Sequence, residues 1–217
     1  HLYLNQKNGT FKEVIKEATN HISYFSMGND VSDINNDGWL DFISLDMMSR
    51  NNYDIKTSMS GMNPERFYDL TNRGFHYQYM YNTLQINNGI MNEKDQIPVF
   101  SDIAQMNDIS NTDWSWGPLL FDMDNDGFKD LFVSNGIKRD FRNNDFIKLK
   151  KEALDNFFST HSKQTYQNKQ LIRDLLIELV EKMPIRHKPN YFFKNVKGTS
   201  FKLKNNIWVK DYNSSSN

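Results

Sequence analysis

Asp33-Ile34-Asn35-Asn36-Asp37-Gly38-Trp39-Leu40-Asp41-Phe42 and Asp122-Met123-Asp124-Asn125-Asp126-Gly127-Phe128-Lys129-Asp130-Leu131 are one phrase written twice, 89 residues apart. The acids at positions 1, 5 and 9 and the glycine at position 6 coincide, with Asn or Asp at position 3. The match runs outward. Phe25-Ser26-Met27-Gly28 precedes the first phrase and Trp114-Ser115-Trp116-Gly117 the second, so serine and glycine keep the same offset. Further upstream, Leu2-Tyr3-Leu4-Asn5 leads to Gly9-Thr10-Phe11, and Leu84-Gln85-Ile86-Asn87 leads to Val99-Phe100. Phe11 and Phe100 each stand 22 residues before the first acid of the loop that follows. The pattern opens a third time as Phe192-Phe193-Lys194-Asn195 and Gly198-Thr199-Ser200-Phe201, and a third loop at this spacing falls past residue 217. A register held over so many positions marks a repeat array. The chain is expected to be a piece of a longer one.

The repeated segments read as β-structure. Leu40-Asp41-Phe42-Ile43-Ser44-Leu45 and Val99-Phe100-Ser101-Asp102-Ile103 are short, rich in aromatic and β-branched residues, and flanked by Gly or Asn turns. Two stretches break the rhythm. In Asn63–Gly74, Pro64 suits a first helical turn and the glycine a helix end. Asp145–Met183 holds two helical runs, one striped by Phe146, Leu149, Leu154, Phe157 and Phe158, the other by Leu171, Leu175, Leu176, Leu179 and Val180. Met183-Pro184 closes the second run, since a residue before proline disfavours helix. The organisation predicted is therefore 1–46, the end of one repeat and the first loop strands; 47–81, an insertion with a short helix; 82–137, strands and the second loop; 138–189, a helical insertion; and 190–217, the start of another repeat.

Composition sets the outer limits. A chain of 217 residues can bury a substantial core. Its 26 basic and 27 acidic residues give no global field to attract nucleic acid or an anionic membrane. The absence of cysteine excludes disulfides, thiolate metal sites and cysteine nucleophiles. No stretch approaches the ~20 apolar residues of a membrane span, and His1-Leu2-Tyr3-Leu4-Asn5 reads as strand rather than as a leader.

The chemistry of the two loops points to a hard cation. Alternate residues of a tight loop turn their side chains inward, so Asp33, Asn35 and Asp37, and likewise Asp122, Asp124 and Asp126, can converge on one centre. Gly38 and Gly127 fall where the chain turns sharply. Trp39 and Phe128 can offer backbone carbonyls, and Asp41 and Asp130 close the set from position 9. Oxygen donors in such number suit Ca²⁺ at ~2.3–2.6 Å better than Mg²⁺ or zinc, and about two calcium sites are expected. Without a cation the clustered carboxylates repel one another. An EF-hand requires glutamate at position 12 and flanking helices; here position 12 is Ser44 or Val133 and strands follow. Two metal-free Asx-rich turns are the plain alternative, which the duplication in register argues against.

The combination S-x-G-x4-D-x-[DN]-x-D-G-x-x-D with a following apolar strand resembles FG-GAP/VCBS repeats, the blades of integrin-α-like propellers. The Asn-x-Leu-x-x-Asn…Gly-Thr-Phe phrase resembles the same repeat in bacterial relatives of the cartilage acidic protein group. The resemblance covers residues 1–46, 82–136 and 190–204. It implies an all-β fold, a partial β-propeller of four-stranded blades with helical insertions. The strand through Gly28 is then strand 1, the metal loop joins strands 1 and 2, and the Leu-Tyr-Leu-Asn phrase is strand 3. It also implies that the insertions, both between strands 2 and 3, emerge on the face opposite the calcium loops, where such propellers usually meet ligands.

Other residues weigh less. The run Phe75-His76-Tyr77-Gln78-Tyr79-Met80-Tyr81 can stack on sugars, though packing of the insertion is the plainer reading. Trp114 and Trp116 alternate onto one face and are expected in the core. His76 and His187 stand apart from any metal-type spacing. Lys138, Arg139, Arg142, Lys148, Lys150 and Lys151 are diluted by acids and read as a solvated helix face. No phosphate loop or nucleophile elbow is evident. The function expected is a non-catalytic, extracellular or cell-surface adhesion or binding module stiffened by calcium, with a protein or carbohydrate ligand on the insertion face and with the remaining blades of a longer chain as neighbours. The alternatives are a part of a secreted polysaccharide-processing enzyme or carbohydrate-binding protein, whose acid/base pair would lie among Asp54, Glu65, Asp69 and His76, and a repeat that presents its helices to a protein partner, with the stripe at 171–180 partly exposed.

Overall fold

Alternation of side chains across each strand decides the architecture. In the computed structural model, residues 1–58, 63–91, 96–137, 139–140, 143–161, 166–183 and 188–205 are described. The chain begins with a hairpin of β1 (Tyr3–Asn5) and β2 (Phe11–Glu13), then a turn of helix, α1 (Ile15–Ala18), and a short strand, β3 (Ile22–Ser23). Strands β4 (Gly28–Ser32) and β5 (Asp41–Leu45) flank the first acidic loop. Helices α2 (Asn52–Ser58) and α3 (Pro64–Asn72) and strand β6 (Gln78–Tyr79) fill the first insertion. Strands β7 (Thr83–Ile90) and β8 (Pro98–Asp102) then complete a four-stranded antiparallel sheet of order β4-β5-β7-β8.

The second repeat follows the same course. Strands β9 (Ser115–Phe121) and β10 (Asp130–Asn135) flank the second loop, α4 (Asn144–Thr160) and α5 (Tyr166–Glu181) form the second insertion, and β11 (Tyr191–Val196) and β12 (Ser200–Leu203) close an antiparallel sheet of order β9-β10-β11-β12. The strand registers agree between repeats: Phe42 faces Gln85 across the first sheet as Leu131 faces Phe193 across the second. The structure is thus mostly β. β3 and β6 pair in parallel, tying the segment ahead of the first sheet to its insertion.

The two four-stranded sheets pack face to face. From the first come Ile34, Ile43, Leu45, Leu84, Ala104 and Ile109; from the second come Leu120, Leu131, Val133, Tyr191, Phe193 and Phe201. Burying each of the Val, Leu, Ile and Phe side chains stabilises by roughly 1.5–3 kcal/mol, so this apolar layer is a main part of what holds the sheets together. β4 and β9 lie side by side within it. Gly28 meets the backbone of Trp116 and Gly117 so closely that a methyl group has no room, and Leu120 N donates to Asp30 Oδ2 at 2.7 Å.

Both insertions leave from the strand ends opposite the acidic loops, and they touch: Asn144 Nδ2 donates to Lys56 O at 3.1 Å. Asn63 caps α3 by accepting from Arg66 N, Pro64 opens it, and Gly74 (φ +84°) follows its end, as the sequence suggests. α2 was not expected; its short, polar sequence carries no apolar stripe, and the helix is held by tertiary bonds. One of these joins buried Asp54 to Lys188, which also reaches Asp113 at 2.7 Å, and Tyr191 OH donates to the same Asp113 at 2.8 Å. The stripes of α4 and α5 do not enter a deep core: α4 has no buried residue, while Leu171, Ile177 and Val180 on α5 are exposed and Leu179 alone of its stripe is buried. Arg139 closes the C-terminal end of α5 by donating to the Glu181 and Met183 carbonyls. Lys148, Lys150 and Lys151 lie on the exposed side of α4. Lys138, Arg142, Pro184 and His187 fall outside the described residues.

Trp114 packs beside Met47 and Met80 in a second apolar cluster. Trp116, expected in the core with it, is 45% exposed. A register shift at Ser134/Asn135 interrupts the alternation there, and Trp116 Nε1 is drawn to Gly136 O at 2.6 Å.

Candidate metal centre

Each acidic loop is a turn wound around its first aspartate. In the second loop Asp126 N and Gly127 N donate to the two oxygens of Asp122 at 3.0 and 2.9 Å. In the first, Asp37 N and Gly38 N donate to Asp33 at 3.1 and 2.9 Å. The fifth residue then accepts from the seventh: Asp126 from Phe128 N at 3.0 Å, Asp37 from Trp39 N at 2.8 Å. This winding needs a left-handed residue at position 4 and another at position 6. Asn36 and Asn125 both take φ 58°, and Gly38 and Gly127 take φ 90° and 89°, the conformation that asparagine and glycine adopt most readily.

The ninth residue anchors the loop to the sheet. Asp41 and Asp130 are fully buried. Asp130 accepts from Met123 N at 3.1 Å and Asn195 N at 2.8 Å; Asp41 accepts from Ile34 N and Asn87 N, each at 2.8 Å. Burial pushes both carboxyls above the ordinary aspartate value, the two amides on each pull the other way, and the neighbouring loop acids add to the rise. A cation beside either one relieves that cost.

Carboxylate oxygens of Asp122, Asp124 and Asp130 lie within 4.8 Å of one another, close enough to share one ion. The converging set is thus positions 1, 3 and 9, while Asp126 at position 5 turns toward a cation already present in the protein. Lys194 Nζ sits 3.2 Å from Asp126 and bonds Asp124. The Phe128 amide, with Lys194 assisting, holds Asp126 below the usual carboxylate range, and the bonds to Asp124 and Asp126 raise Lys194. In the first loop Asn35 replaces the acid at position 3 and donates to Asp37 Oδ2 at 2.8 Å. Among the described residues, three acids converge on one point in the second loop alone. Trp39 and Phe128 contribute their amides as described, and the Trp39 ring rests against Gly89.

The donor set suits an oxygen-seeking divalent cation. A lysine ammonium lodged between two loop acids is itself a sign that positive charge is needed there, and a bound ion would have to displace it. Sequence reasoning missed Lys194. Its only signal is a lone charge in an apolar strand phrase, at the place where Ile86 stands in the preceding repeat. It also missed the asparagines that fasten the loops. Asn36 Nδ2 donates to Gly127 O at 3.0 Å, linking one loop to the other. Asn195 Nδ2 donates to Lys129 O at 3.0 Å in its own sheet and to Ile34 O at 2.9 Å in the other.

At the insertion end, Phe67, Tyr77, Tyr79 and Tyr81 form a stacked row, with Phe67–Tyr79 and Tyr79–Tyr81 ring centres 5.5 and 5.7 Å apart. Tyr81 OH meets His21 Nε2 at 3.2 Å, and that nitrogen also meets Asp102 at 2.8 Å. Burial, with Asp102 nearby, pushes the Tyr81 hydroxyl up to about 12. His76 Nε2 lies 3.0 Å from Thr19 O, Asp69 pairs with Arg73, and Asp54 with Lys188. Among the described residues no helix is long and apolar enough to cross a membrane. Comparison with protein-family models, with curated proteins and with solved structures finds no match for this chain.

Proposed function

We propose that this chain is a run of calcium-stiffened propeller blades that serves, outside the cell or at its surface, as a non-catalytic scaffold for binding. The observation that carries the reading is the matched winding of the two loops, with three carboxylates of the second gathered at one point. The ligands proposed are Asp122, Asp124, Asp126, Asp130 and the Phe128 carbonyl in one loop, and Asp33, Asn35, Asp37, Asp41 and the Trp39 carbonyl in the other. Calcium there neutralises buried and clustered acids and so holds the strand 1–2 turns in place. Sites of this modest charge fill at the millimolar calcium found outside cells. The meander order of both sheets and their face-to-face packing support the blade reading.

The insertion end is the proposed ligand face, since its long loops stand on a rigid frame. The exposed apolar residues of α5, Leu171, Ile177 and Val180, favour a protein partner. The aromatic row at Phe67–Tyr81 keeps a carbohydrate ligand as the second reading. A melt with calcium, with magnesium and with chelator, beside metal analysis of the purified chain, tests the proposal. A calcium-specific rise with close to two ions bound supports it; no bound metal and no shift removes it.

A further inference from the structure

We propose that Lys188 and Asp54 condense into an intramolecular isopeptide bond, with Asp113 as the proton-transferring carboxylate, so that the two insertions are stapled covalently. The inference rests on neither the blade nor the calcium reading.

Three segments distant in sequence deliver the reacting groups. Asp54 lies on α2 in the first insertion, Lys188 at the end of the second, 134 residues on, and Asp113 just ahead of β9. Lys188 Nζ contacts Asp54 Oδ2 and lies 2.7 Å from Asp113 Oδ1. Little water reaches them: the side chains of Lys188, Asp54 and Asp113 are 12%, 5% and 4% exposed. Neighbours fix both carboxylates. Asn51 Nδ2 donates to Asp54 Oδ2 at 2.6 Å, and Asn51 Oδ1 accepts from Asp54 N at 2.7 Å. Tyr191 OH donates to Asp113 Oδ2 at 2.8 Å, and burial, with that carboxylate beside it, pushes the phenol up so that it keeps its proton. The repeat itself does not call for these charges. By the register of the two sheets, Tyr24 stands where Asp113 does and Met80 where Lys188 does, and those two residues belong to an apolar cluster. An ammonium shared between two buried carboxylates is a costly substitute for such packing, since each charge gives up its water.

The same placement is what amide formation needs. Asp113 accepts one proton from the Lys188 ammonium and passes it to Asp54, which leaves a neutral amine and a neutral acid, the reactive forms of both. The Nζ lone pair then attacks Cγ of Asp54 and the N–C bond forms. Negative charge building on Oδ2 meets the Asn51 amide donor. Asp113 moves a second proton from the nitrogen to the departing oxygen, the C–O bond breaks with its electron pair on that oxygen, and water leaves. The ammonium and the carboxylate have become one neutral amide and one water, and Asp113 ends as the carboxylate it began as. The step consumes no oxidant and no co-reactant. Free in dilute water, an amine and an acid stay apart; held in contact, they behave as though at ~10⁵–10⁸ M, which reverses that preference. A chain without cysteine thereby gains a cross-link that a disulfide cannot supply.

Intact-mass spectrometry of the purified, cooperatively melting chain provides the test. The expected mass is one water below that of the sequence, and proteolysis should release a branched peptide whose fragments join Asp54 to Lys188. Asp113→Asn keeps both reacting side chains but removes the proton carrier, and should show the full mass. Lys188→Arg keeps the positive charge without the attacking amine; it should show the full mass and melt roughly 10–20 °C lower, as expected when a long covalent loop is opened. The full sequence mass in the folded parent chain overturns the inference. So does a water loss that persists in Lys188→Arg or Asp113→Asn, or one that maps to Asp37-Gly38 or Asp126-Gly127, where an aspartate beside glycine can cyclise. The mass of the parent chain decides alone, whether or not a variant folds.

Discussion

Replacing Gly28 with alanine puts a methyl group 2.3 Å from the Trp116 carbonyl oxygen and 3.2 Å from both Gly117 Cα and Pro118 Cδ. Carbon contacts become favourable only at ~3.5 Å or beyond, and the two nearest obstacles named, Trp116 O and Gly117 Cα, belong to the backbone of β9 while Pro118 Cδ sits in a rigid ring, so none rotates away. Gly28 is not in the left-handed region, so alanine brings no torsional strain and the effect isolates the steric one. Overpacking of this kind costs about 1–3 kcal/mol, and a rigid obstacle places Gly28→Ala near the upper end. For a chain of this size about 1 kcal/mol corresponds to ~2–4 °C, so a fall of roughly 6–12 °C is expected in a calorimetric melt. The control lies in the sequence itself. Gly117 is the same residue one repeat later, yet a methyl group there meets only Ser134 Oγ, at 3.4 Å. Gly117→Ala should stay within about 0.5 kcal/mol, the usual range for a substitution that breaks no special feature. Equal shifts in the two variants, or a Gly28→Ala midpoint within 2 °C of the parent, would refute the packing of β4 on β9.

Asp126→Asn and Asp37→Asn should each weaken calcium binding by on the order of 10–100-fold and shrink the calcium-dependent rise in melting temperature, read by isothermal titration and by melts with and without chelator; unchanged midpoints in both would remove the structural role of the ion. Lys194→Ile, which copies Ile86 of the other repeat, should tighten calcium at the second loop by about tenfold while making the calcium-free chain more dependent on added ion. Burial holds His76 below its ordinary value of 6.5, so the unfolded chain binds more protons between that value and the lower folded one. The stability its neutral ring supports is therefore present above pH ~6.5 and lost as pH falls through this window, and His76→Gln should remove that slope from a pH series of denaturant midpoints. Phe193→Ala in the shared core should cost about 3–5 kcal/mol, whereas Ile177→Glu on the exposed side of α5 should stay within about 0.5 kcal/mol, both read by urea titration.

The main strands were legible because each repeat carries its own local instructions, while their order in a four-stranded sheet was implied only by the resemblance. Asn36 with Gly38, and Asn125 with Gly127, supply the left-handed positions of the loops, and the alternation in 41–45 and 130–135 supplies the strands. Asn63, Pro64 and Gly74 likewise announced α3 through capping chemistry that acts over a few residues. The candidate ligands could be named for the same reason, since a nine-residue loop brings its own acids near one another. What sequence could not decide is everything that passes between repeats. Nothing local distinguishes Gly28 from Gly117, or Val31 from Leu120; Gly28 is hemmed in by the β9 backbone and Leu120 is buried because the other sheet lies against each. Lys194 enters the second loop from a strand 64 residues after Asp130, and Trp116 leaves the core because the register slips at Ser134/Asn135. Local turns and alternation are short-range consequences of dihedral preference and burial, so one sequence states them alone; which face is covered depends on what packs there, and only the tertiary structure holds that information.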